Sequence, residues 1–385
     1  MEKKVYSVGS LFAGVGGICL GFLGSANKKA EYQIVWANEI DEYACETYRT
    51  NFPHTLLEGD INFVLHPENS DNPKYYEKLH EQILEKPIDV LNGGFPCQAF
   101  SIAGTQKGFE DERGNLFLSI VDLIEQLGKK FYKPRVLFLE NVKNLKSHDK
   151  GRTYPVIKSK LEEAGYTITE EVLNTMYYSD LPQNRERIYI IGFLNKEDAE
   201  KFHLFNELSK YRKSKTAKER TEDIKKIIDF SVTDPKYNYT KEKYPTYYVT
   251  EEEYAKLDDG KKSVRINLDE DINELYQFYQ LRRGQYVRKN QSNVCPTLTA
   301  NMGTGGHNVP LILTPEKRVR KLTPAETFKL QGFPVGNGYK FPKIYKGRAY
   351  GNSHLYKQAG NAVSVPVIKF IAEYILGILA ENDCK

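Results

Sequence analysis

Short apolar runs and longer stretches of helical spacing alternate through the first half of the chain. VYSVGSLF (5–12), EYQIVWAN (31–38), PIDVLNGG (87–94) and PRVLFLEN (134–141) read as strands that are apolar almost throughout. YTITEEVLN (166–174) and RIYIIGFL (187–194) add two more. Between them, DEYACETYRTNF (41–52), NLFLSIVDLIEQLG (115–128) and TYPVIKSKLEEAG (153–165) read as helices, the last two ending at Gly128 and Gly165. Such alternation, with strands fit for burial on both faces, predicts an α/β fold with a parallel, doubly wound sheet. Ligands in such sheets bind beyond the carboxyl ends of the strands.

The pattern changes near Asn195. From 196 to 316 periodicity is weak and Lys, Tyr and Glu are frequent, which predicts a second, smaller and irregular domain after a first domain over 1–195. The segment 317–385 is expected to complete the small domain and return to the large one. Within it, Thr323, Pro324 and Glu326 fit a capping box with proline at the first helical position. VSVPVIKFIAEYILGIL (363–379) reads as an apolar helix that packs on the first domain.

Composition changes this picture little. With 385 residues, 40% hydrophobic and 28% charged, the chain can bury a core, which excludes a largely disordered protein. Cys19, Cys45, Cys97, Cys295 and Cys384 are odd in number and widely spaced, so neither a disulfide framework nor a metal site is expected. No long apolar run follows MEKKVYSVGS, so a soluble, cytoplasmic protein without membrane contact is expected. A net charge of +4 is uninformative, but its distribution is not. Leu275 to Pro315 contains no Asp or Glu, yet holds Arg282, Arg283, Arg288 and Lys289. A polyanion would meet no repulsion there. A second basic run, KYRKSKTAKER (210–220), reads equally well as a solvated face.

The candidate chemistry falls at predicted strand ends. SLFAGVGG (10–17) makes a glycine turn before a helix and suits NAD, FAD, another nucleotide or S-adenosylmethionine, although it is not G-x-G-x-x-G. Glu39 ends the second strand, where a carboxylate can accept from two ribose hydroxyls; an ordinary capping acid is an equal reading. Asp60 in EGDI could accept from an adenine amino group. GGFPCQAFS (93–101) carries Cys97 after a strand with no partner cysteine. Packing is the usual role of a lone cysteine, but the neighbouring strand ends on Glu140 and Asn141. An acid in an apolar site has a raised pKa and can act as a general acid. PQNRERIYII places Gln183, Arg185 and Arg187 ahead of a strand, the two arginines on one side of an extended chain.

Taken in order, FAGVGG, NE, GDI, GGFPCQAFS, RGNLF, ENV, QNRER, RKLTPAETFKLQGFP and GNAV resemble the motifs of the C5-cytosine DNA methyltransferases of bacterial restriction–modification systems. The resemblance spans nearly the whole chain except about 196–275. Ser10 departs from it, since many members carry Asp there. The resemblance implies an enzyme that moves a methyl group from S-adenosylmethionine to C5 of a cytosine flipped out of double-stranded DNA, releasing S-adenosylhomocysteine. It implies catalytic roles for Cys97 as nucleophile at C6, Glu140 at N3, Arg187 at O2 and Arg185 in support. Phe12, Ala13, Gly14, Gly16, Gly17, Glu39, Asp60, Ile61, Pro96, Leu116, Asn361 and Ala362 match cofactor positions. Gln98, Ser101, Arg282, Arg283, Thr297, Leu298, Thr299, Gly303, Gly305 and Gly306 are the DNA-binding candidates, and Cys295 is expected to pack. A monomer is expected, with a cognate restriction endonuclease as a genetic partner rather than a stable complex. Transfer RNA as substrate, a catalytically silent DNA-binding regulator and a nicotinamide oxidoreductase are the competing readings. A cysteine hydrolase would want a histidine base, and no histidine lies in these motifs.

Overall fold

The computed structural model describes residues 3–95, 116–257, 265–304 and 308–383. The first part runs β1 (Lys4–Leu11), α1 (Gly17–Leu23), β2 (Ala30–Glu39), α2 (Glu42–Asn51), β3 (Thr55–Glu58), α3 (Ile61–Leu65), α4 (Pro73–Ile83) and β4 (Val90–Gly93). It continues through α5 (Leu116–Lys130), β5 (Val136–Val142), α6 (Thr153–Glu163), β6 (Thr167–Asn174), a single turn α7 (Thr175–Tyr178) and β7 (Glu186–Phe193). Among the described residues these strands form one seven-stranded sheet in the order β3-β2-β1-β4-β5-β7-β6.

The first five strands are parallel to their neighbours, but β7 runs antiparallel to both β5 and β6. This corrects the all-parallel expectation. The link 175–185 holds one helical turn and is too short for the helical crossover that a parallel return requires. The edge strand β3 has only four residues and escaped the pattern. Helix α5 passes Gly128 by two residues, ending on Lys129 and Lys130, whose charge suits a helix C-terminus.

Alternate residues of one strand feed opposite cores. In β5, Val136 and Phe138 pack with α1 and the C-terminal helix, while Leu137 and Leu139 pack under α5 and α6. Helix α8 (Lys196–Lys201) returns to this sheet: Asp198 is buried with Arg135 at 3.6 Å, and Phe202 meets the ring of Phe193. Packing therefore carries the first domain slightly past the compositional break at Asn195.

After α9 (Leu208–Tyr211), α10 (Ala217–Ile227), α11 (Glu251–Ala255) and α12 (Leu268–Asp271) comes a second, antiparallel sheet. Its strands are β8 (Tyr279–Arg282), β9 (Tyr286–Lys289), β10 (Leu311–Leu313) and β11 (Val319–Lys321), in the order β11-β10-β8-β9. A separate core including Ile266, Leu268, Tyr279, Leu281 and Leu311 lies beneath it. Most of the 210–220 cations are engaged: Lys213 and Lys215 pair with Asp180, Lys215 also with Asp223, and Arg220 donates to the Ser292 carbonyl.

Helices α13 (Pro324–Leu330), α14 (Asn352–Asn361) and α15 (Val365–Asn382) close the chain. The capping box is present: Thr323 Oγ1 accepts from Glu326 N at 3.2 Å, and Glu326 Oε2 accepts from Thr323 N at 2.7 Å. The same carboxylate receives both terminal nitrogens of Arg320, at 2.9 and 2.7 Å, inside the protein. Helix α15 is apolar enough by composition to cross a membrane, but it lies on α1 and β2 with Ile368, Ile371, Ile375 and Leu379 buried. Each such side chain contributes roughly 1.5–3 kcal/mol of apolar burial.

Candidate active site

A cavity of about 380 Å³ opens at the carboxyl ends of β1, β2, β4 and β5. Its first wall is the turn after β1. Phe12 and Gly14 have φ of 52° and 56°, and Gly16, with φ 83°, caps α1. A Cβ on Gly14 would meet nothing within 4 Å, so the turn leaves open space. At Gly16 a Cβ would lie 2.1 Å from the Phe52 ring, which makes that glycine a packing requirement. Ser10, the departure from the motif, is buried and donates to Asn92 Oδ1 at 2.7 Å.

Glu39 closes the turn from the end of β2. Its Oε2 accepts from Gly14 N at 2.7 Å, and its Oε1 accepts from Ile40 N at 2.9 Å and Asp41 N at 2.8 Å. Burial pushes its pKa up, and the three backbone amides pull against that shift. A carboxylate has about four acceptor positions, so one remains for a ligand. Asp41 caps α2 and pairs with Lys357 of α14 at 2.7 Å, bringing the C-terminal region to the cavity rim.

The opposite wall comes from β5 and β7. Antiparallel pairing sets Val142 opposite Arg187 and Glu140 opposite Tyr189. Arg187 Nε lies 3.1 Å from Glu140 Oε1. The contact is an ion pair without hydrogen-bond alignment, so this buried oxygen keeps an unmet acceptor. Burial raises the Glu140 pKa, while Arg187 and then Arg185 oppose the rise. Asn141 Nδ2 donates to the Phe95 carbonyl at 2.9 Å and so fixes the chain after β4.

Arg185 is a junction. Nη1 donates to the Leu298 carbonyl at 2.9 Å, and Nη2 donates to the carbonyls of Gly360, at 3.4 Å, and Ala362. Burial, then the like charge of Arg187, holds its pKa down to about 9, so it stays cationic at neutral pH. Gln183 is buried beside it, donating to the Leu330 carbonyl at 2.7 Å and accepting from Leu298 N at 3.4 Å. The QNRER motif thus ties three distant segments together as well as furnishing Arg187.

Of the residues expected around a cofactor, Phe12, Ala13, Gly14, Gly17, Glu39, Leu116, Asn361 and Ala362 line the cavity, together with Glu140, Arg185 and Arg187. Gly16, Asp60 and Ile61 are not among its lining residues. Asp60 instead caps α3, accepting from Asn62 N at 2.9 Å, and Ile61 is core. Pro96, Cys97, Gln98, Ser101, Gly305 and Gly306 lie outside the described residues.

Among the DNA candidates, Arg282, Thr297 and Thr299 line a second cavity beside β8 and β9, and Arg283 sits in the hairpin turn at φ 54°. Leu298 is different: its side chain is core, so it offers DNA no surface. Gly303 makes its close backbone approach to α14, where a Cβ would lie 2.6 Å from the Ser353 carbonyl oxygen. Cys295 is buried as a free thiol. Asp41, Lys357 and Gln358 also line the first cavity and were missed; adjacency to NE and to GNAV was the available signal.

Solved structures share this architecture. Dnmt2 methyltransferase of S. pombe superposes with TM-score 0.62 over 97% of this chain and 99% of that one, at 17% identity. A putative DNA modification methyltransferase encoded within an E. coli prophage gives 0.58 over 97% and 99%, at 19% identity. At these identities the likeness is one of fold, an α/β architecture with a second, smaller domain. The family model for C-5 cytosine-specific DNA methylase matches residues 6–377. Type II methyltransferase M.Bsp6I of Bacillus sp. (strain RFL6) is 44% identical over 370 residues, covering 96% of this chain and 98% of its own. M.NlaX of Neisseria lactamica is 34% identical over 397 residues, covering 99% and 100%. M.HhaI of Haemophilus parahaemolyticus is 32% identical, covering 94% and 91%. The chain belongs to the C5-cytosine-specific DNA methylase family and is a DNA cytosine-5-methyltransferase of the restriction–modification type.

Proposed function

We propose that the protein methylates C5 of a cytosine flipped out of a short, specific double-stranded DNA site, and so protects that site from a cognate restriction endonuclease. The observation that carries this reading is the buried Glu140–Arg187 pair in the same cavity as the glycine turn and Glu39. A base deep in a duplex cannot reach such a cavity, and extruding it costs a few kcal/mol.

The open cradle at Gly14 and the remaining acceptor position on Glu39 fit S-adenosylmethionine. Phe12, Ala13, Gly14, Gly17, Glu39, Leu116, Asn361 and Ala362 would hold it, with Pro96 and Asp60 as further candidates. When bound, it supplies the electrophilic methyl carbon that C5 takes up. Cys97 adds as thiolate to C6 of the base and makes C5 nucleophilic. Glu140, whose pKa burial raises against the pull of Arg187 and Arg185, faces N3, where addition concentrates charge, and passes a proton to it. Arg187 holds O2, and its fixed cation stabilises the same charge. Arg185 acts as a positioning residue. Departure of the C5 proton and of Cys97 restores the aromatic ring. The enzyme works as a monomer in the cytoplasm, visiting the two strands in turn.

Base-resolution methylation mapping of a plasmid from a methylation-free bacterial host expressing the protein tests this. C5-methylcytosine in one short sequence context is expected. Unmodified DNA, with the protein folded and binding S-adenosylmethionine, would turn attention to RNA.

Arg282 and Arg283 are expected to contact the duplex backbone. Replacing both with alanine should weaken DNA binding and reduce the slope of log affinity against log salt by roughly 0.9 per lost phosphate contact. Titrations at low and high salt measure this, and unchanged affinity at both would remove these arginines from the interface.

A further inference from the structure

The β8–β9 hairpin carries a polar face that methyl transfer does not use. Its register pairs Gln280 with Arg288 and Arg282 with Tyr286. These four therefore share one side, while the intervening Tyr279 and Leu281 point into the small core and Val287 packs against it. Gln280, Arg282 and Arg288 bound an open cavity of about 610 Å³, faced by Asn184, Thr297 and Thr299. Among the described residues no carboxylate lines it. Arg288 Nη2 donates to Gln280 Oε1 across the two strands. Among the described residues neither Arg282 nor Arg288 has a carboxylate partner, whereas Lys289 pairs with Glu274. The far wall is joined to the catalytic cavity: Thr297 donates to the Asn184 carbonyl at 2.6 Å, and the next residue, Arg185, holds the Leu298 carbonyl.

The lining chemistry discriminates between two uses. Cations alone would serve phosphates. Here five side-chain amides, Asn184, Gln280, Asn290, Gln291 and Asn308, accompany the cations. Amides accept as well as donate, and base edges present both donors and acceptors, whereas phosphates present acceptors only. A two-stranded ribbon fits the major groove, where guanine offers O6 and N7 to an arginine fork. An arginine whose plane is already held by an amide loses less freedom on binding than a free one.

We propose that Arg288 reads a guanine of the target site and that Gln280 is its positioning residue. This rests on the methyltransferase reading above. The experiment is methylation mapping of plasmids from hosts expressing the intact enzyme, Arg288→Ala, Arg288→Lys and Gln280→Ala, with DNA-binding titrations against salt. Lys keeps the charge and the fold but lacks the fork, so it separates base reading from both. In both Arg288 variants methylation should spread to contexts differing at one guanine position, with discrimination there falling roughly ten- to hundredfold. Gln280→Ala should relax the same position to a smaller degree. An unchanged context with uniformly weaker methylation and a shallower salt slope in Arg288→Ala would make Arg288 a phosphate contact and overturn the proposal. No change in context or in salt slope would remove Arg288 from the interface. Should the intact enzyme leave the plasmid unmodified, the methyltransferase reading itself fails, whatever the hairpin does.

Discussion

Cys97→Ala should abolish methyl transfer while DNA binding and S-adenosylmethionine binding survive. Without thiolate addition at C6, C5 remains part of an aromatic ring and is a poor nucleophile. Glu140 and Arg187 then have no developing charge to stabilise, so their contribution disappears with that of Cys97. The loss should be roughly 10⁴- to 10⁶-fold, the range seen when a covalent nucleophile is removed from a site whose members act together. Single-turnover methylation with labelled cofactor measures it, and gel-shift titration measures DNA binding. A second readout follows from the proton balance. Fluorine at C5 cannot leave as a cation, so DNA carrying 5-fluorocytosine at the target should stay bonded to the intact enzyme under denaturing conditions. Cys97→Ala should show no such adduct. Turnover by the variant close to that of the intact enzyme would rule out covalent attack through Cys97.

The largest expected loss of stability lies far from the chemistry, at Arg320 and Glu326. Both side chains are buried, at 0% and 2% exposure, and joined by two parallel hydrogen bonds. Arg320 also donates to the Asp229 carbonyl at 2.7 Å, and Glu326 accepts from Asp229 N at 2.9 Å. The pair thereby binds β11, α13 and the segment after α10 into one unit. Removing either partner leaves an uncompensated buried charge, which costs about 3–5 kcal/mol. Glu326→Ala also frees the amides of Thr323 and Asp229, so it should be the worse of the two. Denaturant unfolding of each single variant and of Arg320→Met with Glu326→Leu tests this. The double variant should recover much of the loss, because no charge is then stranded. A cost below about 1 kcal/mol for both singles would mean that water or rearrangement compensates the remaining charge.

Much of the molecule was legible where one residue type answers one physical need. The apolar strands 5–12, 31–38 and 134–141 could only be buried, and the Thr323 capping box announces its helix. Glu140 was legible because an acid at the end of an apolar strand demands a partner, and Arg187 is that partner. Direction was not legible in β7, since an apolar strand reads the same parallel or antiparallel and the short link 175–185 decides. Small-domain strands of three or four residues carry too few positions to show a period. Leu298 and Gly303 sit among DNA candidates in the chain, yet their surroundings are made by Gln183 and by α14 from far away in sequence. No local pattern reports such long-range neighbours.

The seating of α15 on α1 has a consequence for how the protein is made. About 340 residues separate the two helices, and the cavity also needs Lys357, Asn361 and Ala362. At about 5–20 residues per second, a ribosome that has completed α1 needs roughly 20–70 seconds to deliver its cover. Until then one apolar face of the central sheet is bare, and the cavity lacks the wall that Lys357, Asn361 and Ala362 supply. Activity therefore begins only after α15 has been made, and a chain interrupted before it is an aggregation hazard rather than a partial enzyme.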